Sequence, residues 1–242
     1  MMINRRGLLL ASGAATIGPS LARAQNSPAT GFDPVTEWGF GPPVSEPDSS
    51  GTRPTGTKPP KHGEIAKGFK LLYAAPRDQS PLAVARYFEV LPDKNEDGHF
   101  YRHEWPKDGR ANPLIVGLFS STFTIPSKGD QTAWCAAFVN FCLLASGKPT
   151  TGSAQSGSFR SNPAFPKTDT PKPGDIVVFR LPGPDGDLGF GHVGLFLSET
   201  STHVEVLGGN QVGTTKTSGA VTVTKFPFKS ADLELHSYRS VT

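Results

Sequence analysis

Cysteine is scarce. The 242-residue chain has two, Cys135 and Cys142, seven positions apart. On one helix that spacing is about 10 Å at ~1.5 Å per residue, beyond the roughly 7 Å between Cα atoms that a disulfide tolerates. An intramolecular bridge is excluded wherever that helix forms. Long apolar runs are missing after the N-terminal 24 residues, and none reaches the roughly 18 residues needed to cross a membrane. Continuous Lys/Arg runs are missing as well, so there is no footprint for nucleic acid. No internal repeat is present. Gly208-Gly209 is not followed by a phosphate-loop lysine and reads as a backbone turn. His99 and His103 form no standard ligand cluster with a nearby carboxylate, and they read as surface histidines.

What is present begins with a charge asymmetry. The 24 basic residues exceed the 21 acidic ones by three, and Arg5, Arg6 and Arg23 carry that excess. The basic start, the apolar centre from Leu8 to Leu21 and Ala22-Arg23-Ala24 predict an export signal over residues 1–24, cleaved after Ala24. Arg5-Arg6-Gly7-Leu8-Leu9 resembles a twin-arginine signal; an ordinary secretion signal or an uncleaved amphipathic start is the plainer reading. No cysteine follows the cleavage point, so a lipid anchor is not expected. The expected location is exported, periplasmic or secreted. Residues 25–60 read as a proline-rich linker or arm, with Phe32, Trp38 and Phe40 as its apolar exceptions. Residues 61–242 remain as one domain, and 36% hydrophobic residues in the chain suffice for one core.

Within that domain the front half reads as helices. Glu64 to Ala74 is rich in helix formers. Ser80-Pro81 and Asn112-Pro113 each offer a cap followed by a proline suited to the first helical position. Residues 92–110 are polar with nearly alternating His99, Tyr101, His103 and Trp105, a short strand or an aromatic loop. A helix is predicted from Cys135 to near Gly147, with Thr132 as its cap. Trp134, Phe138, Phe141 and Cys142 would form its buried stripe. Ser153 to Phe159 suggests another brief helix. The period then changes: Asp175–Phe179, His192–Leu197, His203–Leu207, Ala220–Phe226 and Leu233–Tyr238 read as strands. Leu181 to Phe190 reads as a loop too flexible for regular structure. Helices first and antiparallel strands later predict an α+β fold, with the Cys135 helix packed on a sheet of about five strands.

Cys135 in the first turn of a helix lies where free N–H groups and the dipole favour a thiolate. His192, between Gly191 and Val193-Gly194, is the base that could share its proton. Three later residues are candidates to orient that imidazole: His203, Glu205 and Asn210. Cys135 N–H and the Gln131 side chain are candidate donors to an oxyanion. A structural cysteine with a satisfied core histidine explains the same residues. A zinc site built from Cys135, His192 and His203 lacks a specified fourth ligand.

In order, Thr132-Ala133-Trp134-Cys135-Ala136-Ala137-Phe138-Val139-Asn140, Thr151-Gly152-Ser153-Ala154, Pro173-Gly174-Asp175-Ile176-Val177-Val178-Phe179, Gly191-His192-Val193-Gly194 and Leu207-Gly208-Gly209-Asn210-Gln211 resemble the NlpC/P60 and CHAP superfamily of bacterial cysteine peptidases and amidases. The resemblance spans roughly residues 110–240. It implies a papain-like α+β fold, hydrolysis of an amide bond in peptidoglycan stem peptides, and no metal or cofactor. Carried onto this chain, Cys135 becomes the nucleophile, His192 the general base and acid, and Asn210 the orienting residue, with Glu205 and then His203 as alternatives. Trp134 and Gly191 would border the substrate groove, although a core position suits Trp134 equally. The alternatives are a non-catalytic wall- or protein-binding module of the same fold, and a secreted antibacterial amidase whose partner would be an immunity protein.

Overall fold

The structure, a computed structural model, describes residues 58–212 and 219–242. The expected export signal and residues 25–57 of the arm lie outside the described residues.

Local signals start the helices where they stand. Helix α1, His62–Tyr73, is entered at Lys61, whose N–H donates to the Glu64 carboxylate at 2.8 Å. Ser80 caps α2, Pro81–Glu89, by accepting the Ala83 N–H. Asn112 caps α3, Pro113–Leu118, by accepting the Leu114 N–H. Asn112 is fully buried, and its amide also donates to the Tyr101 and His103 carbonyls at 2.7 and 2.8 Å. The same side chain that begins α3 therefore fastens the 92–110 segment. That segment is an aromatic loop, with Tyr101 and Trp105 buried inside it. Arg110 closes it with a two-pronged pair to the buried Glu64, at 2.8 and 2.6 Å.

Helix α4, Cys135–Ala145, differs from its prediction in two ways. Thr132 does not cap it: the Thr132 hydroxyl accepts the Lys128 N–H, and Trp134 precedes the helix without a side-chain cap. The helix also has no polar face. Every residue from Cys135 to Leu143 is buried, and Leu144 alone within it is exposed. The cause is packing on both sides, because α2, α3 and the 3₁₀ turn Phe119–Ser121 cover what the sheet does not. Asn140, polar inside this helix, is satisfied by Ala136, Thr151 and Ser153.

The sheet has six strands: β1 Lys167–Thr168, β2 Ile176–Arg180, β3 Gly191–Glu199, β4 His203–Val212, β5 Gly219–Pro227 and β6 Glu234–Arg239. Their order is β1-β6-β2-β3-β4-β5, antiparallel throughout. One more strand than expected is present because two residues at Lys167 add an edge. Ser156–Phe159 forms a 3₁₀ turn. The 181–190 loop is not structureless: it contains α5, Pro184–Asp187, and its carbonyls are held by Gln155, Gly157 and Arg160. Ile176, Val178, Val193, Leu195 and Leu207 join the helices in the main core. Val177, Phe179, Phe196, Val204 and Val206 form a second cluster with Phe226 and Phe228.

The two capping residues should differ in their cost of removal. Ser80→Ala is expected to lose about 1 kcal/mol, the usual cost of an exposed cap. Asn112→Ala should lose roughly 3 kcal/mol, because two buried carbonyls lose their donor as well. Denaturant midpoints at constant m-value would check the ranking.

Candidate functional site

The position of Cys135 follows from how closely β4 approaches α4. A Cβ on Gly209 would lie 2.4 Å from the Trp134 ring and 2.7 Å from Phe138, so only glycine allows this contact. The N-terminus of α4 is thereby set against β3. The Val193 N–H points at the Cys135 sulfur, joined by the N–H groups of Ala136 and of Cys135 itself. His192 is the other half of the His192–Val193 peptide unit. The residue that follows the base candidate thus brings its backbone N–H to the nucleophile candidate.

Burial dominates the chemistry of both. Cys135 is 5% exposed, and loss of solvent raises its thiol pKa to about 11, with the three N–H groups pulling the other way. The expected thiolate preference of the first helical turn is present but outweighed. His192 is 8% exposed, and burial pushes its pKa below the ordinary histidine value, opposed by the hydrogen bond it donates to Gln211. Burial thus disfavours the charged form of each, the Cys135 thiolate and the His192 imidazolium.

The residue on the His192 ring is Gln211. Its Oε1 lies 3.0 Å from His192 Nε2. The amide nitrogen of Gln211 donates to the Val206 and Thr222 carbonyls and to the Thr224 hydroxyl. Those acceptors fix which end of the amide faces the ring, so Nε2 carries the proton and Nδ1 keeps its lone pair. Phe179 and Phe226 flank the imidazole, with ring centroids 6.3 and 5.2 Å away. A Cβ on Gly208 would sit 2.6 Å from Gln211 Oε1, so the glycine pair makes room for the Gln211 amide on one face and for Trp134 on the other.

Asn210 does not occupy that position. It has φ 55°, and between Gly208 and Gln211 strand β4 gains one residue relative to β5. Unbroken alternation from Val206 would give Asn210 the face of His192; the bulge hands that face to Gln211. The Asn210 side-chain oxygen lies instead beside Gly219. Glu205 bonds Ser198 and pairs with Lys225, and the exposed His203 bonds Thr202. Neither is recorded on the His192 ring. Gln131 donates its amide to the Trp105 carbonyl at 3.1 Å. Trp134 is fully buried, with its Nε1 donating to Glu104 at 2.9 Å, so it supports the site from within and forms no groove wall. Gly191 is half-buried at the start of β3. Sequence reasoning passed over Gln211 although the pair Asn210-Gln211 was in view; only the bulge decides between them. Among the described residues no group of three His, Cys, Asp or Glu is placed to hold a metal ion, and no helix is long and apolar enough to cross a membrane.

A family model for the CHAP domain matches residues 127–210. This stretch is similar to a CHAP domain. The α+β architecture, with an antiparallel sheet and few helices, is that of a CHAP, papain-like fold. CHAP domains are typically hydrolases acting on peptidoglycan. The CHAP match contains Cys135 and His192 and stops one residue short of Gln211. Helices α1 to α3 and strands β5 and β6 lie outside it. Comparison with curated proteins found no match, and comparison with solved structures found none.

The raised thiol predicts a particular reactivity. Carbamidomethylation of Cys135 by iodoacetamide should rise about tenfold per pH unit from pH 7 to pH 9, since only the thiolate reacts and its pKa lies above that window. A rate already level below pH 8 would mean that an ion pair with His192 holds the thiolate.

Proposed function

We propose that the chain is an exported thiol hydrolase that cleaves an amide bond in peptidoglycan peptides, with Cys135 as nucleophile and His192 as general base and acid. Gln211 replaces Asn210 in the orienting role. The observation that carries this reading is the Gln211–His192 hydrogen bond, because it leaves Nδ1 as the unprotonated nitrogen, the one able to take a proton.

In this reading the thiol proton passes to His192 Nδ1 as sulfur attacks the substrate carbonyl carbon. The imidazolium, held by Gln211 Oε1 at Nε2, then gives that proton to the departing amine. An acyl-enzyme on Cys135 remains, and His192 takes a proton from the water that hydrolyses it. The charge that develops on the substrate oxygen needs donors, and the Cys135 N–H at the helix start suits that purpose. Disfavoured charge on both groups does not oppose the scheme: the base acts during attack, as a serine-type triad does, and needs no preformed thiolate.

A second reading is favoured by one feature. Both Cys135 and His192 are nearly closed to solvent, and neither lines the open cavity described below. A wall-binding module of the same fold, with the pair kept for packing, fits that closure.

Digestion of purified peptidoglycan by the chain from Gln25 onward, beside Cys135→Ala, separates the two. New amine and carboxyl ends in the soluble products, seen by mass spectrometry only with the intact thiol, support the hydrolase. Retention on the wall without any cleavage, by folded protein with a reduced thiol, supports the module. For the orienting role, Gln211→Ala should lower kcat about a hundredfold, within the range for mispositioned acid–base groups. Asn210→Gly, which suits the left-handed backbone there, should stay within about threefold. The reverse pattern would return the role to Asn210.

A further inference from the structure

An open cavity of about 380 Å³ lies on the 98–107 segment, upstream of the CHAP match. Its lining includes His99, Phe100, His103, Glu104, Lys107 and Gln131. The segment is added to the edge of the sheet: Val221 N–H donates to the Arg102 carbonyl and Glu104 N–H to the Gly219 carbonyl, at 2.9 and 2.8 Å. Ala220, which pairs with Gln211 across β4, is bridged on its other side by His103. One strand therefore separates the cavity from the residue on the His192 ring. Gln131 reaches the cavity from the turn four residues before Cys135.

The two opposite charges that line the cavity, Glu104 and Lys107, are engaged differently. Glu104 is committed to the scaffold, because its two oxygens accept Trp134 Nε1 and the Gly219 N–H. Glu96 and Asp97, in the same loop, pair with Lys61 and Arg110. Lys107 is exposed on the wall, and no ion pair is recorded for it among the described residues. Lys94 and Arg102 stand over the Phe100 ring at 4.2 and 4.9 Å, and Arg102 also donates to the Glu89 carbonyl at 2.6 Å. Burial, with Arg102 adding to it, keeps His103 below the ordinary histidine pKa, so it offers a neutral ring rather than another charge. Lys107 on the wall, the Phe100 ring beside it in the lining and a carboxylate already occupied by N–H donors suit an anion attached to an organic chain.

We propose that this cavity is a specificity subsite that takes a carboxylate of an acidic peptide, with Lys107 as its direct partner. The proposal rests on the hydrolase reading for the presence of a peptide beside Cys135. It assigns to the added 98–107 segment the selection of substrates by charge, while the CHAP portion supplies the reacting groups.

The test uses soluble stem peptides released from peptidoglycan, native and after carbodiimide amidation of their carboxyl groups. With the full chain, amidation should lower kcat/KM at least about tenfold, mainly through KM, equivalent to one charge-assisted contact. In Lys107→Gln the ratio between native and amidated peptide should fall to within about twofold. Equal use of both peptides by the unsubstituted chain, or an undiminished ratio in Lys107→Gln, overturns the subsite and leaves the hydrolase standing. If nothing is cleaved, calorimetric titration of Cys135→Ala with the same two peptides at about 150 mM salt decides. Saturable binding that both amidation and Lys107→Gln abolish upholds the subsite while the hydrolase reading falls. No binding, or binding indifferent to both changes, overturns it.

Discussion

The contact of Gly209 with Trp134 and Phe138 governs the remainder of the arrangement. A helix buried on all sides has no polar face to settle its rotation, so its depth and azimuth come from shape alone. Glycine in β4 lets the strand come in under the indole. The indole is then held from its far side by Glu104, which belongs to a segment some thirty residues earlier and also bonds β5. Strand, helix and added loop are locked at one side chain immediately before Cys135. A sulfur placed at the Val193 N–H is the product of that lock.

Electrostatics in the site is a contest between desolvation and a few oriented dipoles. Three N–H groups favour charge on Cys135, yet removing it from water outweighs them. For His192 the single Gln211 acceptor opposes burial and does not overcome it. A neutral amide in place of a carboxylate is consistent with that balance. An acid beside a ring enclosed by Phe179 and Phe226 would need its own charge partner, whereas glutamine settles the tautomer and takes its remaining bonds from the sheet.

Much of the frame was legible because it rests on adjacent residues. Ser80-Pro81 and Asn112-Pro113 announce helix starts by short-range hydrogen bonds, and the apolar runs at Ile176 and Val193 read as strands by their period. Cys135 and His192 stood out through residue type and setting. What was not legible depends on distant parts. Trp134 could be wall or core until the sheet and Glu104 closed over it. The helical stripe became full burial once α2 and α3 covered its other side. The preference for Gln211 over Asn210 turned on one extra residue between Gly208 and Gln211, and alternation cannot reveal such an insertion before the partner strand is known.

That extra residue also divides β4 into two reading frames. Up to Gly208, the choice of inward and outward side chains answers to the cores on the two sheet faces; at Gln211 it answers to the imidazole. The stagger at Asn210 is a joint between these two grammars. Changes between His203 and Gly208 need not propagate to Gln211, so long as the joint keeps its length. Excising one residue there would exchange the faces of Gln211 and Val212, while leaving the composition of the strand almost unaltered.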